Sequence, residues 1–370
     1  MSETPESDRL GDFPHPRETE RLIGQEEAEQ VLFDAFMSGR MHHAWLLTGP
    51  KGIGKATLAH RMAKFVLRYG TPDAARAAGA TGLFLPGDDP VFRQGLAQSL
   101  SDLLIIRRPY DDKSKRLKTV IPVEEVRRTS GFFGMSAGAG GWRVTIIDSA
   151  DEMNANAANA LLKVLEEPPA NSLFLVISHQ PGRLLPTIRS RCRTLPLKPL
   201  SNEAIAGVLA ANDVEASPDD REAIARLAEG SAGRALSLSA GGGLDLYRQV
   251  TGILMGLPKL NVEAVHELGD KVARRGADDA YFAVVELLTD WLQRLIRAGS
   301  GLDPESDIVP GEGAAMARLA LGGRLDRWVE VWEKISETVA RAEALNTDRK
   351  LVILTIFSML EGAATELANA

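Results

Sequence analysis

Apolar positions along the chain follow two rhythms. In the first half, short unbroken runs alternate with helical stripes. Ala44-Trp45-Leu46-Leu47 reads as a buried strand, and Leu58, Met62 and Phe65 then recur at helical spacing. Residues 102–106, 143–147, 173–177 and 194–197 are further apolar runs of strand length. Between them lie helices. Ala28, Val31, Leu32, Ala35 and Phe36 share one face, and Val120-Ile121-Pro122-Val123 opens a helix through Arg128. Asn154 or Asn156 caps a helix running to Glu167, with Ala157, Ala160, Leu161, Val164 and Leu165 inward and Pro168-Pro169 as its stop. Residues 138–141 read as a turn, and residues 70–100, weakly periodic, as an insertion.

The second rhythm is helical almost throughout. Residues 204–211, 219–229 and 234–240 form a small helical group, and Gly241-Gly242-Gly243 is a plausible hinge. Beyond it, Tyr281, Val284, Leu288, Trp291 and Leu295 make one stripe. Leu325, Trp328, Trp332, Ile335, Val339 and Ala342 make a second at near-heptad spacing. Asn346-Thr347-Asp348 caps a last helix carrying Leu351, Ile353, Leu354, Phe357 and Leu360. Residues 1–17, polar and carrying Pro5, Pro14 and Pro16, read as a loose arm.

Composition narrows the classes. The 370 residues suffice for two or three domains, and 44% hydrophobic with 25% charged residues is ordinary for a globular chain. A net charge of −7 argues against holding nucleic acid by an overall field. One local patch runs against it: Arg107, Arg108, Lys113, Lys115, Arg116 and Lys118 crowd a loop that either touches phosphate or is a solvated hairpin. The single Cys192 excludes a disulfide framework and a Cys-rich zinc module, and suits the cytosol. No apolar run is expected to approach the roughly 18 residues of a membrane span. The N-terminus lacks the pattern of a signal peptide.

The chemistry gathers at Gly49-Pro50-Lys51-Gly52-Ile53-Gly54-Lys55-Ala56-Thr57, between a strand and a helix. That is the setting of a P-loop, in which backbone N–H groups and the helix N-terminus surround a phosphate and Lys55 reaches the outer phosphates. Gly49, Gly52, Gly54, Lys55 and Thr57 make the cradle. The residue after the lysine should supply a hydroxyl for Mg²⁺, and here it is Ala56. Thr57, rotated by roughly 100° along the helix, is no substitute as that ligand. Asp148, at the end of an apolar strand, is placed to hold the water shell of Mg²⁺. Ser149 stands where an ATPase of this kind carries a catalytic glutamate. Loss of a general base lowers rate about 10²–10⁴-fold, and loss of one ligand at a charged centre costs roughly 1.5–3 kcal/mol. Turnover therefore suffers more than binding. Asp151-Glu152 is an alternative source of a carboxylate. Ser178, at a strand tip, is placed to sense a γ-phosphate. Arg189, Arg191 and Arg193 surround Cys192. Arg191 reads either as an arginine finger acting in trans or as a structural ion pair, and Cys192 as a small buried hydrophobe. Glu166 and Glu167 end a helix where the dipole disfavours them. They either meet an external cation or lie solvated.

Ile23-Gly24-Gln25, Arg40-Met41-His42-His43-Ala44, the P-loop, Asn159-Ala160-Leu161-Leu162-Lys163-Val164-Leu165-Glu166-Glu167-Pro168-Pro169 and Ser190-Arg191-Cys192 together resemble the bacterial clamp-loader family of the AAA+ class. The resemblance is close over residues 20–240 and architectural beyond. The altered hydrolytic positions look like the delta-prime branch of DNA polymerase III rather than the gamma/tau motors. The resemblance implies an α/β fold: an AAA+ P-loop domain with a parallel sheet (20–197) behind a flexible arm (1–19). A helical lid (198–242) and an all-α oligomerisation collar (243–370) would follow. It implies that Ile23 and Gly24 border an adenine pocket and that Arg191 completes a neighbour's ATP site. ATP or ADP with Mg²⁺ is the implied ligand, without zinc. The implied partners are gamma/tau- and delta-type subunits, the sliding clamp and, through the complex, primed DNA. No membrane partner is implied. The implied role is a cytoplasmic, largely non-hydrolysing stator with no polymerase site. A gamma/tau-type motor ATPase is the alternative in the same family, and a P-loop repair helicase or DNA-binding regulator the alternative outside it. Arg234, one place later than a motor's sensor arginine, is a weaker candidate sensor.

Overall fold

A computed structural model describes residues 5–134, 141–240, 242–274, 278–302, 307–321, 324–345 and 347–368. The predicted turn at 138–141, the hinge glycine 241 and the cap at 346 lie wholly or partly outside these. The chain divides into two units, Met1–Ser237 and Leu238–Ala370.

The first unit is built on a parallel sheet of β1 (Ala44–Thr48), β2 (Leu103–Ile106), β5 (Arg143–Ile147), β6 (Ser172–Ser178) and β7 (Arg193–Pro196), in the order β2-β5-β6-β1-β7. β3 (Tyr110–Asp111) and β4 (Arg116–Leu117) form a separate antiparallel hairpin, so the basic loop takes the hairpin form. Every residue of β1, β5 and β6 is buried, which is why these strands read as continuous apolar runs rather than alternating ones. Register follows the period of two. Ala44, Leu46, Leu104, Ile106, Phe174 and Val176 share one core with Val126 and Phe132 of α5 (Val123–Gly134) and Leu161 and Leu165 of α6 (Ala155–Glu166). α5 runs past the predicted end at Arg128.

α1 (Glu26–Met37) and α2 (Lys55–Tyr69) pack together, and α2 lies on β5 and β6. α1 departs from its predicted face: Val31 is 38% exposed and Phe33 is buried in its place. The 70–100 insertion holds two short helices, α3 (Pro72–Ala77) and α4 (Pro90–Leu96), capped by Thr71 and Asp89. Asn154, not Asn156, caps α6, accepting the Ala157 N–H at 2.8 Å. α7 (Pro186–Arg189) leads into β7. α8 (Asn202–Ala211), α9 (Pro218–Leu227) and α10 (Ala232–Ser239) follow, with Ser201 and Ser217 as caps of the first two.

The N-terminal arm is the main correction. Residues 5–19 are not loose. Arg107 pairs with both Glu6 and Asp8, Arg17 donates to Glu6 at 2.6 Å, and Lys64 Nζ donates to the Arg17 carbonyl at 2.9 Å. His15 is fully buried beside Asp8.

The second unit comprises α11 (Gly243–Leu254), α12 (Val262–Val272), α13 (Asp278–Gly299), α14 (Glu312–Ala320), α15 (Leu325–Leu345) and α16 (Arg349–Ala368). The α13 stripe from Tyr281 to Leu295 is buried as predicted. In α15 the seam is Trp328, Val331, Ile335 and Ala342, so Val331 replaces Trp332. Asp348 caps α16 through the Leu351 N–H at 2.9 Å, while the Leu351 side chain is exposed. Contrary to the sequence expectation, α16 is long and apolar enough by length and composition to cross a membrane, with a mean hydropathy of 1.6. Its apolar residues instead serve packing: Val352, Ile353, Ile356, Phe357 and Leu360 are buried, and the helix lies on α12 and α15. At the centre of this unit Arg294 holds the wholly buried Glu312 at 2.9 Å. Tyr247 donates to the same carboxylate.

Candidate functional site

In a parallel sheet the carboxyl ends of the strands converge on one edge, and this is where ligands bind. β1 delivers the turn 49–54, β5 delivers Asp148, and β6, lying between them, ends at Ser178 with Thr48 as its register partner. The turn needs its glycines. Gly49, Gly52 and Gly54 have φ of 136°, 78° and 102°, and a Cβ on Gly49 would lie 2.6 Å from the Leu197 carbonyl oxygen. Lys55 opens α2 and is buried, and its Nζ donates to the Gly49 carbonyl at 2.6 Å and to Pro50. Burial lowers its pKa to about 8 although Asp148 and Asp151 oppose this. Thr57 is half-buried in the first turn of α2.

A second layer closes over the turn, and the sequence did not announce it. Ser231 Oγ donates to the Lys51 carbonyl at 2.8 Å, and the Gly233 N–H donates to the Gly52 carbonyl at 2.8 Å. The approach is so close that a Cβ on Gly52 would sit 2.3 Å from Ser231 Oγ and 3.2 Å from the Gly233 backbone. Gln25 ties the same region by donating to the carbonyls of Ile53 and Lys198 at 3.0 and 2.8 Å. Gly24 faces Ala204 and Leu200, and Ile23 approaches Gly207, so this corner packs on α8. The one legible signal was the Gly230-Ser231-Ala232-Gly233 run, whose small residues permit the approach. Arg234 lies 3.9 Å from Glu229.

The polar groups at the strand tips are mostly buried or engaged within the chain. Asp148 is buried, and its pKa is raised to about 7, by burial first and then by Asp8 and Glu152, against Lys55 and Arg107. Ser149 adopts a left-handed backbone and its Oγ lies 3.1 Å from His179 Nε2. Burial and the charge of Lys55 lower His179 to about 4, so the ring is neutral at pH 7. Asp151 accepts the His179 N–H at 2.9 Å, and Glu152 pairs with Arg108 at 2.7 Å, so both alternative carboxylates are engaged. Ser178 is fully buried with its Oγ unpartnered. These residues suit a phosphate at the glycine turn. They suit a hydrated magnesium ion less well, because Ala56 offers no side-chain ligand.

Arg191 lies apart from this cluster, after α7. Its Nη2 is 2.7 Å from Glu166 Oε1 at the end of α6, and its Nη1 donates to the Thr187 carbonyl at 3.0 Å. Glu166, read as either meeting an external cation or lying solvated, instead pairs with a cation of its own chain. Cys192 is buried, and burial pushes its thiol up to about 12, an inert hydrophobe.

Two other clusters carry no site. Asp8, His15 and His60 converge within 4.8 Å. The Arg17 N–H donates to His15 Nδ1 at 3.1 Å, which leaves Nε2 to donate toward Asp8. That nitrogen is a donor to carboxylate, not a metal ligand. A cleft of about 390 Å³ is lined by Arg107, Arg108 and Arg128. Each of these arginines is paired with a carboxylate of this chain.

Comparison with known proteins follows the same lines. The family described as DNA polymerase III, delta subunit matches residues 24–201. The DNA polymerase III subunit delta-prime of Pseudomonas aeruginosa is 34% identical over 273 residues, covering 71% of this chain and 73% of that protein. The Bacillus subtilis delta-prime subunit is 34% identical over 51% of this chain and 52% of its own length. The tau subunit of Bacillus subtilis is 29% identical over 60% of this chain and 37% of its own length.

Proposed function

Because the chain belongs to the delta-prime family of DNA polymerase III clamp-loader subunits, which are AAA+ proteins, we propose that it is a stator that does not turn over ATP. The observation that carries this reading is the closed P-loop. Ser231 and Gly233 bond the turn, Lys55 donates to the Gly49 and Pro50 carbonyls of the same turn, and Ala56 and Ser149 replace the groups that handle magnesium and water. ATP or ADP is at most a bound ligand of the turn, held by Gly49, Gly52, Gly54 and Lys55 beside Thr57, Asp148 and Ser178. Ile23 and Gly24 border the base.

In this reading the chain works in the cytoplasm with gamma/tau- and delta-type subunits, and through them with the sliding clamp and primed DNA. Residues 198–242 act as lid and residues 243–370 as collar. Arg191, on a half-exposed turn, is the arginine finger that stabilises charge developing on a neighbour's nucleotide.

The test is reconstitution with purified gamma/tau- and delta-type subunits, clamp and primed DNA. The isolated chain is expected to show no ATPase with Mg²⁺, and Lys55→Ala to leave assembly turnover unchanged. Arg191→Ala should assemble normally and lower turnover at the served site by roughly 10³-fold or more. Brisk ATPase of the isolated chain, or normal assembly turnover with Arg191→Ala, would refute the reading.

A further inference from the structure

Glu166 occupies an unfavourable place. It ends α6, where the unpaired carbonyls disfavour a carboxylate, and Glu167 follows it. It nevertheless approaches Arg191 Nη2 to 2.7 Å, while the other terminal nitrogen of that guanidinium is held by the Thr187 carbonyl at 3.0 Å. Each terminal nitrogen of the proposed finger therefore has one partner within its own chain. The two bonds are unequal in character. Thr187 is backbone on the turn that carries Arg191. Glu166 is a side chain on another helix, and the pair is open to solvent, with 34% of the Arg191 and 48% of the Glu166 side chain exposed.

We propose that Glu166 is a latch for Arg191: it parks the guanidinium on this chain and surrenders it to the polyphosphate of a neighbouring subunit's nucleotide. The inference rests on the reading of Arg191 as a finger acting in trans. A solvent-exposed pair of this kind contributes only about two- to fivefold to an equilibrium constant. A phosphate group offers more charge and bidentate oxygens, and so outcompetes it. The Thr187 bond lets the guanidinium swing about Nη1 while staying aimed. Leaving the latch also strands Glu166 at an unfavourable helix end, which adds to the opposition. Glu166 thus sets how readily the finger engages and leaves the rate once engaged unaltered. It is a positioning residue, not a catalytic one.

The experiment titrates ATP, with Mg²⁺ present, into the complex assembled from the full chain, purified gamma/tau- and delta-type subunits, clamp and primed DNA. It follows ATPase for wild type, Glu166→Gln, Arg191→Ala and the double variant. Glu166→Gln is expected to lower the concentration for half-maximal turnover by about two- to fivefold, with maximal turnover unchanged. In the Arg191→Ala background the same substitution should change nothing, since the latch acts through the finger. A fall in maximal turnover with Glu166→Gln, an unshifted titration, or a shift that persists without Arg191 would each overturn the latch while leaving the finger standing. An unaltered titration with Arg191→Ala alone would remove the finger reading and the latch together.

Discussion

At the scale of single residues, Asp148 is the group whose environment most contradicts its expected role. An unfolded aspartate titrates near 3.9, whereas burial, with Asp8 and Glu152 adding to it, raises Asp148 to about 7 in the fold. The native chain therefore binds more protons than the unfolded chain between about pH 4 and 7. Its contribution lowers stability progressively as pH rises through that window, and the penalty is constant above it. Asp148→Asn should flatten the pH dependence of Tm from pH 4 to 7 and melt above wild type at pH 8. Equal losses at pH 5 and pH 8 would contradict this account. Gly52 is the second residue that matters, because its missing side chain admits Ser231 and Gly233. Gly52→Ala is expected to destabilise by about 1–3 kcal/mol in urea unfolding and to raise exchange at the Gly233 amide. The glycine spacing of the turn was legible in the sequence. The burial of Asp148 was not, since it depends on strands and an arm distant along the chain.

Among the elements, the N-terminal arm shows how local reading fails. Its polar, proline-rich composition predicts disorder because no partner lies nearby in sequence. The partner, Arg107, is 101 positions from Glu6 and sits at the end of β2. Asp8 is largely buried there. Burial alone would raise its pKa, but the His15 hydrogen bond and the Arg107 charge bring it down to about 2. Arg107→Ala removes the cation that Glu6 and Asp8 share, leaving Arg17 and His15 as their partners, and is expected to cost about 3 kcal/mol. The checks are urea unfolding and faster tryptic cleavage after Arg9. Intact protection of the arm would mean that Arg17 and His15 suffice. In contrast, the caps of α6, α8 and α9 lie within three residues of the N–H groups they bond. Such elements were readable. Helix α1 was readable in extent but rotated in face, because Phe33 found ring contact with Phe65 of α2.

Across the whole molecule, the chain forms two units with separate cores. In the second, Glu312 accepts from Arg294, Tyr247 and the amides of Ile308 and Val309 with no exposure to water. Burial pushes the Tyr247 phenol above its usual range. Glu312→Ala removes a fully buried acceptor shared by Arg294, Tyr247 and two backbone amides and should cost about 3–5 kcal/mol. Hydrogen exchange should report the loss within residues 238–370 and leave the sheet strands β1, β5 and β6 protected. Loss of protection in both units would show that they unfold as one.

Sequence alone determined the strands, the P-loop turn, the capped helices and the buried stripe of α13, because each is set by residues within a few positions of one another. The residues missing from the hydrolytic positions, Ala56 and Ser149, were equally plain. Tertiary structure alone decided that the turn is closed, that the arm is anchored and that Glu166 holds Arg191. Those contacts join residues far apart in the chain, as Ser231 and Lys51 are by 180 positions. Only the folded sheet and its covering helices bring such groups within bonding distance.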